Sequence, residues 1–155
     1  MDYYPAESMN DKLICLVQPL AYRVWDPKHR WFFYTDVQPE ATEFLNRWTG
    51  LFDKQGCPLY EDDIVRAHYD WRFGWVRALV MRHPKRNQYY AQATAVDGTM
   101  LNIGCYSFAD SYRLGNLREH PGKLVAATPQ FPHPEAEPWW LSPAVFRPMR
   151  GPCFN

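Results

Sequence analysis

The sequence predicts a mainly β protein, with an N-terminal β-rich part carrying one short helix, then a small β-barrel, then an extended tail rich in proline and aromatic residues. Three observations predict it. Between Leu13 and Leu124 short apolar and aromatic runs are broken by turn-forming residues at roughly eight- to twelve-residue intervals, the spacing of a strand-rich domain. Only one stretch has helical apolar spacing. Seven of the fourteen prolines fall between Pro129 and Pro152, where extended backbone is expected and regular helix or sheet is not. The chain divides accordingly into a polar, flexible N-terminus (1–12), the β-rich part (13–58), the barrel (59–124) and the tail (125–155).

Each element has a local reason. Ala21 to Asp26 alternates in polarity, Asp26-Pro27-Lys28-His29-Arg30 turns the chain, and Trp31 to Thr35 returns it as a hairpin. The helix is placed near Pro39 to Trp48. Pro39 and Glu40 suit a first turn, Phe44, Leu45 and Trp48 give i, i+1, i+4 spacing, and Gly50 is the stop. Asp53-Lys54-Gln55-Gly56 is a turn. Strands follow at Ile64 to Tyr69 and Trp75 to Met81, separated by a break at Gly74, and His83 to Asn87 forms the next turn before a strand at Tyr89 to Val96. Asp97-Gly98 is a strong hairpin signal, expected to place both residues at positive φ, with Thr99 to Ile103 as its partner strand. A last short strand at Ser111 to Leu114 ends at Gly115-Asn116. Five strands joined by tight turns suggest a small barrel, which hides its edges by closing.

Composition limits the function. Hydrophobic residues are 46% and charged residues 22%, enough to bury a core, and aromatic residues reach 17%. Seventeen basic residues balance seventeen acidic ones, so nucleic acid or an anionic membrane would have to be met by a local patch. Cys15, Cys57, Cys105 and Cys153 offer no close pair for zinc or thiol exchange. The acidic start Met1-Asp2-Tyr3-Tyr4-Pro5 is unlike a secretory signal, and no apolar run is long enough for a membrane span. A soluble protein of a reducing cytoplasm is expected, with no membrane association, no cofactor and no metal. Glu61-Asp62-Asp63 could hold a hard cation, but consecutive residues on an extended chain point apart, which favours a solvated turn. The five histidines lack metal-site spacing. A Cys105–His120 dyad would depend on a spatial contact that sequence does not reveal, and no nucleophile elbow or phosphate-cradling glycine loop is present, so no catalytic residue is assigned.

Three stretches of the central region carry a pattern of their own. The first is Arg23, Trp25 and Asp26, followed by the aromatic run Trp31 to Tyr34. The second is Thr49-Gly50-Leu51, Asp53-Lys54, Gly56, Tyr60-Glu61 and Asp63-Ile64-Val65. The third is Leu114-Gly115-Asn116-Leu117 with Glu119, Pro121 and Leu124. In order and spacing these resemble the YopX-like family of phage and prophage proteins, over roughly residues 21 to 124. Asp62 stands where that family usually has Gly, and the tail has no counterpart in the pattern. The resemblance implies a β-rich N-terminal part, a small barrel of the Src-homology-3 kind, a phage or prophage origin and no established catalytic residues.

Two segments have binding chemistry. Between Arg66 and Tyr90 the cations Arg66, Arg72, Arg77, Arg82, Lys85 and Arg86 interleave with Tyr69, Trp71, Phe73, Trp75, Tyr89 and Tyr90, against one acid, Asp70. Cations for phosphates and rings for bases make a single-strand platform, and Arg72, Arg77, Arg82, Lys85, Arg86 and Tyr89 are its candidate residues. The opposing reading puts the rings in the core and lets the arginines reach outward. Strand alternation sends Trp75 and Arg77 to one side, which favours a mixed surface. The tail supplies Trp139, Trp140 and Phe146, which either pack back on the domain or anchor a partner, with Trp71 and Trp75 the next anchors. The leading expectation is a non-enzymatic phage accessory protein that occludes a host or phage protein complex, such as a bacterial defence system. The alternative is a single-strand nucleic-acid-binding module in phage replication, recombination or gene control.

Overall fold

The computed structural model describes residues 2–3, 19–40 and 42–130. Ten strands form two five-stranded antiparallel sheets. The first has the order β1 (Asp2–Tyr3), β3 (Trp31–Thr35), β2 (Tyr22–Asp26), β4 (Leu45–Phe52), β5 (Pro58–Tyr60). The second, curled into a half-barrel, has the order β10 (Tyr112–Asn116), β6 (Asp63–Asp70), β7 (Gly74–Arg82), β8 (Tyr89–Thr94), β9 (Met100–Gly104). A 3-10 turn at Cys105–Asp110 links β9 to β10 and places Phe108 in the core. The mainly β class holds.

The expected helix at Pro39 to Trp48 does not form. Residues 38–40 are irregular, and Leu45 onward is β4, which pairs with β2 through Val24↔Leu45 and with β5 through Trp48↔Tyr60. Backbone partners on two sides outweigh a weak local helical spacing. Gly50, expected to stop the helix, instead lies within the strand at φ +80°, where the register with β5 shifts. The Asp97-Gly98 hairpin forms with a different turn. Gly98 alone has positive φ, Gly98 N–H donates to the Ala95 carbonyl at 2.9 Å, and Ala95 N–H donates to that of Thr99 at 2.8 Å. Asp97 stays at negative φ with Oδ1 capping Thr99 N–H at 2.9 Å, so this is a longer loop ended by a left-handed glycine.

The barrel expected from the sequence is a half-barrel among the described residues, its edge strands β9 and β10 not paired with each other, and its interior is lined by small side chains: Ala67, Ala78, Ala91, Ala93 and Ala95 are buried among Val65, Val76, Val80, Leu101 and Ile103. Phe73 and Phe108 are the large rings it accepts. The N-terminal sheet has an aromatic core instead, with Trp25, Phe32, Tyr34 and Tyr60 meeting edge to face or tilted. β5 serves both, since Leu59 enters the barrel core and Tyr60 the aromatic one. Burial raises the Tyr60 phenol pKa, and its hydroxyl donates to the Leu20 carbonyl.

One buried ion pair joins the sheets. Arg23 Nη1 lies 2.8 Å from Asp63 Oδ1, both side chains being fully buried. Arg23 also donates through Nε to Asn46 Oδ1 at 3.1 Å and through Nη2 to the Glu61 carbonyl at 2.8 Å, with its guanidinium carbon 4.4 Å from the Phe32 ring centroid. Asp63 Oδ2 accepts the Tyr60 N–H at 2.8 Å and lies 3.4 Å from Arg113 Nε. The acidic triplet is therefore no solvated turn. Glu61 Oε1 accepts Arg47 N–H at 2.7 Å, and Asp62 occupies the left-handed region at φ 67° with Oδ2 accepting Asn46 Nδ2 at 3.1 Å. Asp tolerates this region better than most residues, which accounts for a non-glycine there.

The barrel continues past Leu124. Ala127 is buried in its core and bridges Ala95, Val96 N–H donates to the Ala127 carbonyl at 2.9 Å, and Gln130 N–H donates to that of Arg72 at 2.7 Å. The start of the tail thus packs on its own domain. Trp139, Trp140 and Phe146 lie outside the described residues.

Candidate binding surface

The interior is lined mostly by alanine and valine with Tyr69 and Tyr89 partly buried against it, while β6, β7 and β10 carry His68, Trp75 and Tyr112 on the outer face. On β7, Gly74, Val76, Ala78 and Val80 face inward while Trp75 and Arg77 are exposed. On β6, Val65 and Ala67 face inward while Arg66 and His68 are exposed. The register sets the surface. Tyr112, Arg66 and Arg77 are direct neighbours across the three strands, and His68 stands opposite Trp75.

Trp75 is the centre. Its side is 42% exposed, yet three neighbours hold the ring: the Arg66 guanidinium carbon is 4.6 Å from its centroid, His68 meets it edge to face at 5.8 Å, and Tyr112 lies at 6.1 Å. Lys54 Nζ sits 5.8 Å from the Tyr112 centroid, and Arg77 Nη1 donates to the Lys123 carbonyl at 3.2 Å. Asp70, the acid at the end of β6, accepts the Phe73 N–H through Oδ1 at 2.8 Å. Rings and cations therefore share one sheet face, in fixed relative positions.

The polar residues of the three motif stretches have a different task. Asp53 Oδ1 accepts the N–H groups of Gln55 and Cys57, both at 2.9 Å, and Oδ2 accepts that of Arg113 at 2.9 Å, tying the turn to β10. Asn116 Oδ1 accepts from Arg118 N at 3.0 Å and Glu119 N at 2.9 Å, while Nδ2 donates to Glu119 Oε1 at 2.9 Å. With Arg23 and Asp63, these residues hold turns and join sheets. Among the described residues no group of three His, Cys, Asp or Glu side chains converges on a point, and no helix is long and apolar enough to cross a membrane.

The basic aromatic segment separates into two places. Trp71 and Arg72 are half-buried in the turn between β6 and β7, where Arg72 lies 5.4 Å from the Phe73 ring centroid. Trp75 and Arg77 are on the outer face just described. Arg82 ends β7, seven residues or about 23 Å from Trp75 along an extended strand, and Lys85 and Arg86 are exposed in the loop beyond it. Tyr89 is half-buried against the barrel core, and this burial raises its pKa. Sequence reasoning placed Arg66 in the basic aromatic segment without making it a candidate residue, and did not select Lys54, His68 or Tyr112. Period-two alternation on β6 could have found Arg66 and His68, whereas Tyr112 joins through the β10–β6 register and Lys54 through its N–H, which donates to the Ser111 carbonyl at 2.8 Å, neither of which has a local signal.

No family model matches this chain, and no curated protein matches it in sequence.

Proposed function

We propose that this chain is a non-enzymatic accessory protein of the YopX-like, phage or prophage kind, which acts by occupying a surface of a host or phage protein complex, with inhibition of a bacterial defence system as the use. The single observation that carries the reading is Trp75, a large ring left exposed on the outer face of the half-barrel sheet yet held by Arg66, His68 and Tyr112. Trp, Tyr and Arg are the residues most enriched at the energetic centres of interfaces. A ring already packed by its neighbours loses little further freedom on binding. The commitment of Arg23, Asp53, Asp63 and Asn116 to internal bonds agrees with a binding role for what remains on the surface.

A second reading rests on the same face. Lys54, Arg66 and Arg77 beside Trp75 and Tyr112 are also the parts of a single-strand nucleic-acid platform. Salt separates the two, because phosphate contacts release counterions and weaken steeply with salt while an aromatic protein interface does not. The test is affinity capture from the bacterial host with the wild-type chain and with Trp75→Ala/Arg77→Glu, at about 0.1 and 0.5 M salt. The first reading expects a protein partner retained at high salt and lost with the variant. A partner held equally by both forms counts against it, and recovery of nucleic acid at low salt alone selects the second reading.

A further inference from the structure

A second site lies at the opposite end of β7 from Trp75. Just beyond the end of β7, the loop 83–88, the strands β8 and β9 and the start of the 3-10 turn line an open cleft of about 440 Å³. Small-molecule sites fall in the range of roughly 300 to 1,000 Å³. Its lining residues include the aromatic Tyr90, Tyr106 and His83 and the amide-bearing Gln88 and Asn102. Tyr106 is 72% exposed, and His83 meets Tyr90 at 6.5 Å between centroids.

The polar groups are set for a ligand. His83 N–H donates to the Gln88 carbonyl at 2.8 Å, which closes the loop, and Lys85 N–H lies 3.2 Å from His83 Nδ1. With Nδ1 as acceptor, the neutral ring carries its proton on Nε2. Asn102 Oδ1 accepts from Gln92 Nε2 at 3.0 Å, so Asn102 meets a ligand through its NH2 group. Lys85 and Arg86 are exposed in the loop that runs between the lining residues His83 and Gln88, and Arg82 precedes it. Arg82 is within 3.4 Å of Asn87 Oδ1, and among the described residues neither Lys85 nor Arg86 forms an ion pair with a carboxylate. The sequence from Trp71 to Val96 contains no acid at all.

Aromatic walls alone would suit any apolar molecule, and cations alone any anion. Together with amide groups of both hydrogen-bonding polarities they select a ligand that is planar, polar at its edge and anionic at one end. We propose that this cleft binds a nucleobase bearing a 5′-phosphate, with the base against Tyr90 and Tyr106, its edge on Gln88 and Asn102, and the phosphate on Lys85 and Arg86. The inference does not depend on the Trp75 face, which is at the other end of the strand.

The test is titration of the full chain with adenosine and uridine monophosphates, with ribose 5-phosphate and inorganic phosphate as base-free probes, followed by amide chemical shifts and calorimetry. Saturable binding of a nucleoside monophosphate is expected, about tenfold or more tighter than either base-free probe, with shifts centred on Gln88 to Tyr90 and Asn102 to Tyr106. Tyr106→Ala should weaken it at least about fivefold, through lost stacking. Lys85→Ala/Arg86→Ala should remove the preference for the monophosphate over the nucleoside, and both variants should melt with the wild type because the altered side chains are exposed. A 5′-phosphorylated short oligonucleotide that binds tighter than the mononucleotide makes the ligand a strand end, and the reverse makes it a free nucleotide. Absence of saturation by every nucleotide probe, equal binding of ribose 5-phosphate, or shifts confined to the Trp75 face overturns the proposal.

Discussion

Removing Arg23 should cost more stability than any surface change in this protein. The guanidinium is fully buried and makes a 2.8 Å ion pair with Asp63, hydrogen bonds to Asn46 and the Glu61 carbonyl, and a 4.4 Å approach to the Phe32 ring. In Arg23→Ala the Asp63 carboxylate stays buried with the Tyr60 N–H and the longer 3.4 Å approach of Arg113 as its remaining partners. An uncompensated buried charge costs about 3 to 5 kcal/mol. For a chain of this size that is a fall in melting temperature of roughly 6 to 20 °C. Asp63→Asn should cost a similar amount, because it strands the guanidinium instead. Arg23→Met/Asp63→Leu removes both charges and should recover most of the loss, since apolar replacement of a buried pair is often close to neutral. Urea unfolding of the wild type, Arg23→Met, Asp63→Leu and the double variant that combines them gives the coupling directly. Single-variant losses below about 1 kcal/mol, or a double variant as unstable as the sum of the singles, would refute the assignment of this pair as the joint between the sheets.

Other outcomes follow from single positions. Asp62 is left-handed and accepts from Asn46, so Asp62→Gly should exchange a lost hydrogen bond for relieved strain and stay near neutral, while Asp62→Ala keeps the strain and should be about 1 kcal/mol less stable than the glycine variant by urea unfolding. A Cβ on Gly115 would lie 2.6 Å from His120 Nδ1, so Gly115→Ala should destabilise by about 1 to 3 kcal/mol and Gly115→Ala/His120→Ala should restore much of it. Gly115 sits at φ +159°, which residues with a Cβ rarely adopt, so part of the loss should persist in the double variant, and a double variant no more stable than Gly115→Ala would contradict the steric account. The Asp26 carboxyl is held below the usual 3.8, first by its hydrogen bond to His29, and Asp97 likewise, first by the Thr99 N–H. Depressed carboxylates stabilise the fold above their unfolded pKa and lose that contribution as pH falls through the folded value. The two hairpins should therefore loosen below about pH 4, with Asp26→Asn and Asp97→Asn flattening the acid limb of the melting curve, and an unchanged acid limb would count against these turns.

How much of this was legible in the sequence depended on whether the signal was local. The hairpin around Asp26 was, because Asp26 caps its own turn through Lys28 and His29, and the strands from Ile64 to Ile103 were, because their alternation is regular. The same alternation placed Trp75 and Arg77 on one face. β4 misled because Phe44, Leu45 and Trp48 mimic a helical stripe, while Asn46, polar and apparently outward, is turned in to accept from Arg23. That bond is between residues 23 positions apart, and its companion to Asp63 spans 40, so no window around β4 contains them. Tyr112 reaches the Trp75 face only through strand pairing, and the division of the basic segment into two sites follows from the length of β7, which treating the segment as one patch had hidden.

The central claim is that the outer face of β6, β7 and β10 is where this protein meets its partner. Oxidative footprinting of the free chain and of its captured complex, read by mass spectrometry at Trp75, Tyr112, Met100 and Tyr106, measures that contact residue by residue. The account predicts that Trp75 and Tyr112 become protected in the complex while Met100 keeps its reactivity. Trp75 oxidised equally in both states, with protection elsewhere, would contradict it.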